Sequence, residues 1–158
     1  SAIMATMEGS RPLLVEVQAL VTPTYLQVPR RLSVGIDSAR LLQVLAILER
    51  RADIGLGSYD VYVSVAAGVR VSEPAVDLPL ALALASSRTD RALPADSVSF
   101  GEVGLTGDVR GVPHAQARLR EAARMGFGGS FGPESKGAAS PGHVVVRTLA
   151  AALERALG

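Results

Sequence analysis

The chain has 158 residues, of which 48% are hydrophobic and 20% charged, and its formal net charge is +1. This balance excludes an intrinsically disordered chain, and the length suits one domain with a single core. Since cysteine is absent, disulfides and thiolate metal sites are excluded, which fits a cytoplasmic protein. We find no secretory signal and no apolar run long enough to span a bilayer, so we expect no membrane partner.

The first part of the chain predicts a linker followed by two strands. Residues 1–10 are small and mostly polar, and we interpret them as a linker from an N-terminal region, with the domain over residues 11–158. Apolar and polar residues alternate over residues 13–21, which predicts a half-buried strand. A second strand is predicted over residues 25–34, where Pro29 indicates a sheet edge or a bulge.

The middle of the chain predicts two helices on either side of a strand. Asp37 is a suitable N-cap for a helix over residues 38–51, where leucines recur at helical spacing. Alternating valines predict a strand over residues 59–66. In residues 78–87 leucine recurs every second residue, as in a strand, but the alanines between them favour a helix. We interpret this segment as a helix that is buried on nearly all sides.

The last third of the chain predicts short elements around a loop rich in glycine. In chain order, these elements are strands over 98–105 and 108–112, a helix over 113–125, a strand over 143–146 and a helix over 148–157. Thr106-Gly107 is typical of a tight hairpin turn. Residues 128–142 are rich in Gly and Ser and predict a mobile loop with one short strand at most. About six strands and four helices predict an α+β domain.

A search for catalytic motifs finds none that is complete. The sequence has no Gly-Lys-Ser or Gly-Lys-Thr, so a phosphate-binding loop of the Walker type is excluded, and the single lysine, Lys136, lies in the glycine-rich loop. His114 and His143 are the only histidines. Neither has a carboxylate at metal-ligand spacing, so we predict no metal site and expect ordinary surface or helix-terminal histidines. We therefore expect no enzyme activity from this chain alone.

The ratio of arginine to lysine is unusual, because fifteen of the sixteen basic residues are arginine. One interpretation is a GC-rich or thermophilic genome, and the other is contact with phosphate groups, which suit the guanidinium fork. Five arginines near strand ends or turns are candidate contacts to a nucleic-acid backbone: Arg11, Arg30, Arg31, Arg70 and Arg110. The alternative is that they are solvated or form salt bridges between subunits.

Several separated segments together resemble a known family. They occur in the expected order at residues 11–21, 29–31, 48–51, 60–63, 73–78 and 101–110. These segments resemble the C-terminal domain of the bacterial DNA repair family RadA/Sms, which is similar to the proteolytic domain of Lon. The resemblance runs from about Met4 to the C-terminus. It implies the Lon-proteolytic-domain-like fold, which is also called ribosomal protein S5 domain 2-like.

The resemblance locates the positions of a protease dyad. Lon-type proteases use a serine nucleophile and a lysine base, and the matching positions here are Ala75 and Gln116, the latter within one residue. Alanine has no hydroxyl and glutamine is not a base, so we expect an inactive, protease-like domain. Ser72 and Lys136 are displaced from these positions, and we do not expect them to replace the dyad.

The same resemblance implies a function in DNA repair. It implies a RecA-like ATPase core and a four-cysteine zinc motif in a preceding region, and hence ATP, magnesium and zinc there and a DNA-dependent ATPase in the full-length protein. For this chain it implies a non-proteolytic oligomerisation and DNA-binding domain that acts in recombinational repair and branch migration. The expected partners are single- or double-stranded DNA, other copies in a hexameric ring, and RecA. The alternative is a purely structural ring-forming scaffold that makes no DNA contact.

Overall fold

The structure is a computed structural model that describes residues 1–135 and 140–158. In chain order its elements are β1 (Ala2–Glu8), β2 (Arg11–Pro23), β3 (Arg31–Val34), α1 (Ser38–Ala52), β4 (Tyr59–Val65), α2 (Asp77–Thr89), β5 (Ser97–Ser99), β6 (Glu102–Val103), β7 (Val109–Arg110), α3 (Ala115–Arg124), β8 (Gly129–Gly132), β9 (His143–Val145) and α4 (Leu149–Leu157). Seven strands form a mixed sheet of order β3-β4-β2-β1-β5-β8-β9, and β6 pairs with β7 in a separate ribbon. The α+β class is confirmed, whereas nine strands in the described residues exceed the expected six.

Strand β1 corrects the prediction of a linker over residues 1–10. It pairs antiparallel with β2 and parallel with β5, near the middle of the sheet. Met4 and Ala5 have no exposed surface. The small residues of this segment reflect a crowded central strand, where Met4 supplies apolar volume and Ala5 leaves room for its neighbours. Small residues in this segment therefore do not indicate a solvent-exposed linker.

The segment between β2 and β4 also differs from its prediction. Strand β2 continues to Pro23, and residues 25–30 are not a strand, so β3 begins only at Arg31. Pro29 has no N–H to donate to a strand pair, which is consistent with its place just outside β3. The edge position that Pro29 indicated is correct, because β3 is the first strand of the sheet order.

The core lies between the sheet and the helices α1, α2 and α4. Helix α2 is buried without interruption over residues 77–85 and contacts β1, β2, α1 and α4, which confirms the prediction of a helix buried on nearly all sides. Asp37 caps α1, since its side chain accepts a hydrogen bond from the backbone N–H of Ala39. Arg50 and Arg51 lie in the last turn of α1, where they complement the helix dipole.

Helix α3 packs against β1 and β2 and begins two residues later than predicted. His114 has a φ of 63°, in the left-handed region, so regular helix geometry cannot begin at Pro113. Across residues 1–135 and 140–158, no helix is both long enough and apolar enough to cross a membrane.

Candidate functional site

The two positions of the expected dyad hold side chains without catalytic chemistry. Ala75 lies in a short 3-10 turn just before α2, is buried, and its carbonyl accepts a hydrogen bond of 2.9 Å from the N–H of Gly101. Gln116 lies in the first turn of α3, where its Nε2 donates to Ser135 Oγ at 3.0 Å. Ser72 is exposed, and Lys136 lies outside the described residues. Alanine has no hydroxyl and glutamine has no basic group, so neither of these two side chains could serve as nucleophile or base.

A buried ion pair lies beside this turn. Arg118 on α3 has 1% of its side chain exposed, and its Nη2 lies 2.5 Å from Oε1 of Glu73. Arg118 Nη1 donates to Glu73 Oε2 at 3.0 Å and to the carbonyl of Ala5 at 2.8 Å. Glu73 Oε2 also accepts from the hydroxyl of Thr6 at 2.6 Å and from the N–H of Met7 at 2.7 Å. The pair thus joins β1, α3 and the turn before α2.

The limited pairing between β1 and β5 explains these contacts. Strand β5 pairs with β1 only at Ile3 and Met4, so the backbone of β1 beyond them has no strand partner on that side. The guanidinium of Arg118 and the carboxylate of Glu73 supply the missing donor and acceptor to Ala5 and Met7. Because buried backbone groups must be hydrogen-bonded, the ion pair takes the place of a continued strand.

The sequence found one half of this pair. Glu73 lies four residues before Asp77, a spacing typical of capping or salt-bridging carboxylates, and it forms an ion pair with Arg118. Arg118 was missed, although its spacing carried a signal. It follows Ala115 by three residues and precedes Ala122 by four, so it falls on the apolar stripe of α3, where an unpaired charge is not tolerated.

The pKa values of the Glu73 and Asp77 carboxylates are shifted in opposite directions from their ordinary values. Burial would raise the pKa of Glu73, but hydrogen bonds from Arg118, Thr6 and the N–H of Met7 together hold it below its ordinary value. Burial raises the pKa of Asp77, and its hydrogen bonds from the N–H of Val103 and from Arg40 offset only part of that effect. Both carboxylates are held by structural partners.

Three of the five candidate arginines are engaged within the molecule. A hydrogen bond with Tyr62 and attraction to Asp60 raise the pKa of Arg30. Arg31 donates to the carbonyl of Tyr59 and, at 2.9 Å, to the carbonyl of Leu56, so it ties the start of β3 to the loop before β4. Arg110 forms an exposed ion pair of 2.8 Å with Asp108 on the β6–β7 ribbon. Hydrogen bonds from Thr106 and Arg110 lower the pKa of Asp108 to about 2.

Two of the candidates, Arg30 and Arg11, lie at opposite ends of β2. Arg30 precedes β3, and Arg31 beside it is aligned through Val61 with Val21 of β2. Arg11 begins β2, ten residues before Val21, which corresponds to roughly 33 Å at about 3.3 Å per residue. The structure therefore does not gather the five arginines on one surface.

Arg11 lies in a small group of arginines at the β1–β2 hairpin, which we call the hairpin end. Arg11 and Arg70 line two adjacent grooves that share Glu8 and Leu13, and both arginines are exposed. Arg124 pairs with Glu121 and is the main cause of the lowered pKa of Glu121, to which Arg11 adds a smaller attraction. The hairpin end thus presents Arg11, Arg70 and Arg124 beside two carboxylates.

The opposite end of the sheet exposes an unusual amount of apolar surface, which we call the β2–β3 corner. Its six side chains are at least 47% exposed and are Leu20, Tyr25, Leu26, Val28, Leu32 and Val34. Tyr25 is fully exposed. Large apolar groups exposed together on one part of a soluble domain are typical of interaction surfaces.

The two histidines occupy different elements of the fold. His114 lies at the N-terminus of α3, as expected of a helix-terminal histidine. His143 is half-buried: its Nε2 donates to the carbonyl of Pro133 at 3.0 Å, and its Nδ1 accepts from the hydroxyl of Ser130 at 2.7 Å. Its ring stacks on Phe100, so it supports the packing of β8 and β9. In residues 1–135 and 140–158, no three His, Asp or Glu side chains are grouped to hold a metal ion.

Comparison with known proteins gives close relatives. No family model matches the chain. The DNA repair protein RadA of Brucella abortus is 50% identical over 137 residues, which is 87% of this chain and 29% of the relative. RadA of Pseudomonas aeruginosa is 52% identical over 127 residues, and RadA of Escherichia coli is 50% identical over 127 residues. Each of these two matches covers 80% of this chain and 28% of the relative. The chain belongs to the RadA family.

The matches cover most of this chain but only part of each relative. The chain spans about 28% of the length of the curated RadA proteins that it matches, as expected of one domain of a longer protein. The resemblance to the RadA/Sms family is therefore confirmed, and the relatives are named as DNA repair proteins.

Proposed function

We propose that this RadA domain is a non-proteolytic module of DNA repair that self-associates and contacts DNA. The observation that carries the proposal is the identity of about 50%, over at least 80% of the chain, to proteins named for DNA repair. Ala75 and Gln116 at the dyad positions support the non-proteolytic part. The two exposed surfaces at opposite ends of β2 support the binding part.

The β2–β3 corner supports self-association. A domain that acted alone would lose solubility by exposing six large apolar side chains on one corner. Contact between copies of this chain would bury the apolar side chains of the β2–β3 corner without requiring a different protein as partner. The resemblance to the family makes a hexameric ring the assembly that we propose.

The hairpin end supports contact with DNA. Arg11 and Arg70 are exposed, and each can offer its guanidinium fork to a phosphate. Phosphate contacts require positive charge but no base-reading element, so a hairpin with few arginines suffices for binding that ignores sequence. Of the five arginines predicted from the sequence, Arg11 and Arg70 are the stronger candidates. Arg30 lies at the other end of β2, and Arg31 and Arg110 are held within the molecule.

The activity of the whole protein is a wider proposal. We propose that the RadA protein that contains this domain is a cytoplasmic, DNA-dependent ATPase that acts in recombinational repair and branch migration, together with RecA. ATP, magnesium and zinc would be bound by regions outside residues 1–158, and this domain would hold the subunits of the ring together and add to its DNA-binding surface.

A purely structural scaffold is the second candidate function. It is favoured by the internal engagement of Arg31 and Arg110, which shows that arginines of this chain serve its fold. In that case the hairpin arginines would be solvated, and only the apolar corner would be functional. Binding of DNA by the 158-residue chain separates the two candidates.

The test is a fluorescence anisotropy titration of labelled single- and double-stranded DNA with the chain. We expect Arg11→Ala/Arg70→Ala to weaken binding of every sequence about thirtyfold, at roughly 1 kcal/mol for each of the two charge-assisted contacts. The matched control is Arg155→Ala, an exposed arginine on α4, which we expect to bind as the wild type does. Binding that is unchanged in the double variant would contradict the assignment, and no binding at all would favour the scaffold.

The non-proteolytic part has its own test. We expect no hydrolysis of unfolded casein by the purified chain, because no nucleophile–base pair occupies the dyad positions. If casein were cleaved and Ser72→Ala abolished the cleavage, the domain would be a peptidase with a displaced nucleophile.

A further inference from the structure

One of the two grooves at the hairpin end lies between the β1–β2 hairpin and residues 69–73, and we call it the hairpin groove. It has a volume of about 550 Å³, which falls in the range of roughly 300–1,000 Å³ that is usual for pockets that hold small-molecule ligands. An unpaired nucleotide can enter a space of this size, as it does in proteins that take a single nucleotide out of a duplex. A DNA duplex is too wide to enter it.

One side of the hairpin groove is apolar. The side chains that form it are those of Met7, Leu13 and Val71. Met7 is half-buried, Leu13 is 36% exposed and Val71 is buried, so Leu13 is the member of this group that is most available to a bound molecule. An apolar side suits the flat face of a nucleobase.

The backbone of residues 69–73 supplies polar groups to the same groove. This segment is extended at both of its ends, and the N–H of Val71 donates to the carbonyl of Gly35 at 2.8 Å. Backbone groups of successive residues in an extended chain point in opposite directions, so those of Arg70 and Ser72 point away from Gly35, on the side of the hairpin groove. Such donors and acceptors match the edge of a nucleobase, which carries both kinds of group.

The charges around the groove match a strand of nucleic acid. Arg70 lines the hairpin groove, and Arg11 lines the adjacent one, two residues before Leu13 on the same face of β2. Glu8 lines both grooves, so its carboxylate disfavours a phosphate in the space between the two arginines. The arginines can therefore bind phosphates on either side, while a base lies against Leu13 between them.

We propose that the hairpin groove binds the nucleobase of an unpaired nucleotide, so that the hairpin end binds single-stranded DNA more tightly than duplex DNA. In a duplex the faces of the bases are stacked on each other, and only phosphates reach Arg11 and Arg70. A single strand makes the same phosphate contacts and adds the contact of its base with Leu13. This base contact depends on the DNA contact proposed above, and it adds the form of DNA that the site takes.

Fluorescence anisotropy with one sequence, as a labelled single strand and as a duplex, tests the preference. We expect the 158-residue chain to bind the single strand about fivefold more tightly than the duplex. Leu13→Ala should weaken binding of the single strand about threefold and leave binding of the duplex unchanged, because it removes only the base contact. The matched control is Leu105→Ala, which shortens a more exposed leucine between β6 and β7 and should change neither. Thermal melts of both variants check that the fold is kept.

A strand without bases tests the same contact without any change to the protein. A single strand whose central nucleotides are abasic keeps its phosphates, so it can still bind Arg11 and Arg70. We expect it to bind about fivefold more weakly than the strand with bases, and we expect Leu13→Ala to have no further effect on it. An abasic strand that binds as tightly as the normal one would overturn the proposal, since only phosphates would then be contacted.

The remaining outcomes separate the base contact from the proposed function. If single strand and duplex bound equally, and both depended on Arg11 and Arg70, the DNA contact would stand and the groove would not hold a base. If neither form bound, the DNA contact and the base contact would both be wrong. If neither form bound and Leu13→Ala weakened binding of unfolded casein, the hairpin groove would be a peptide site.

Discussion

At the scale of single residues, the ion pair between the buried Arg118 and the half-buried Glu73 is the contact that joins β1, α3 and the turn before α2. We expect Arg118→Met to lower the free energy of unfolding by about 3 kcal/mol or more, because it leaves the carboxylate of Glu73 and the carbonyl of Ala5 without their donor. Urea denaturation measures the change. The control is Arg124→Met, whose ion pair is exposed and should contribute less than about 1 kcal/mol. Equal effects of the two variants would contradict the role given to Arg118.

The lowered pKa of Glu73 predicts how stability responds to acid. Because the folded-state pKa is below the ordinary value of 4.5, the contribution of Glu73 is present above pH 4.5 and is lost as the pH falls through the folded-state pKa. Glu73→Gln should therefore be less stable than the wild type at pH 7, and the difference should shrink below pH 4.5. Urea denaturation at several pH values checks this, and a difference that is constant or grows on acidification would contradict it.

At the scale of elements, the turn between β3 and α1 depends on a glycine. Gly35 has a φ of 87°, and a Cβ there would lie 2.7 Å from the carbonyl oxygen of Val69 and 2.9 Å from the side chain of Val65. We expect Gly35→Ala to destabilise the fold by about 3 kcal/mol, from backbone strain and overpacking together. Gly9→Ala is the matched control, because Gly9 also has a positive φ but has open space around it.

Chemical denaturation of these two variants separates strain from crowding. Gly9→Ala should be destabilised by only about 1 kcal/mol, the strain of the left-handed conformation alone. If Gly35→Ala were no worse than Gly9→Ala, the packing of the turn against Val65 and Val69 would be looser than the structure shows.

Strong local patterns predicted most elements, and the errors have local causes. The cap at Asp37 and the apolar run of α2 were found because they depend on neighbouring residues only. Strand β1 was missed because its partners, β2 and β5, come later in the chain, and its own residues resemble a linker. Residues 25–30 have a strand-like composition, but the structure leaves them exposed beside an edge strand.

At the scale of the whole molecule, the resemblance predicts dyad positions, but it does not predict which residues surround them. Ala75 and Gln116 could be named from the resemblance, since motifs preserve position. The pairing of Glu73 with Arg118, 45 residues apart, requires the fold to bring α3 against β1. The five arginines are candidates for their places near strand ends, and only the structure shows that they lie far apart and that Arg30, Arg31 and Arg110 have partners within the molecule.

The central claim is that this domain contributes to DNA repair by binding and not by catalysis, and the salt dependence of DNA binding tests it most directly. Phosphate contacts release counterions, so the logarithm of the binding constant should fall linearly with the logarithm of salt concentration. For contacts from Arg11 and Arg70 we predict a slope of about −2 on duplex DNA, which should be lost in Arg11→Ala/Arg70→Ala. Binding that is absent, or that does not weaken with salt, would contradict the account.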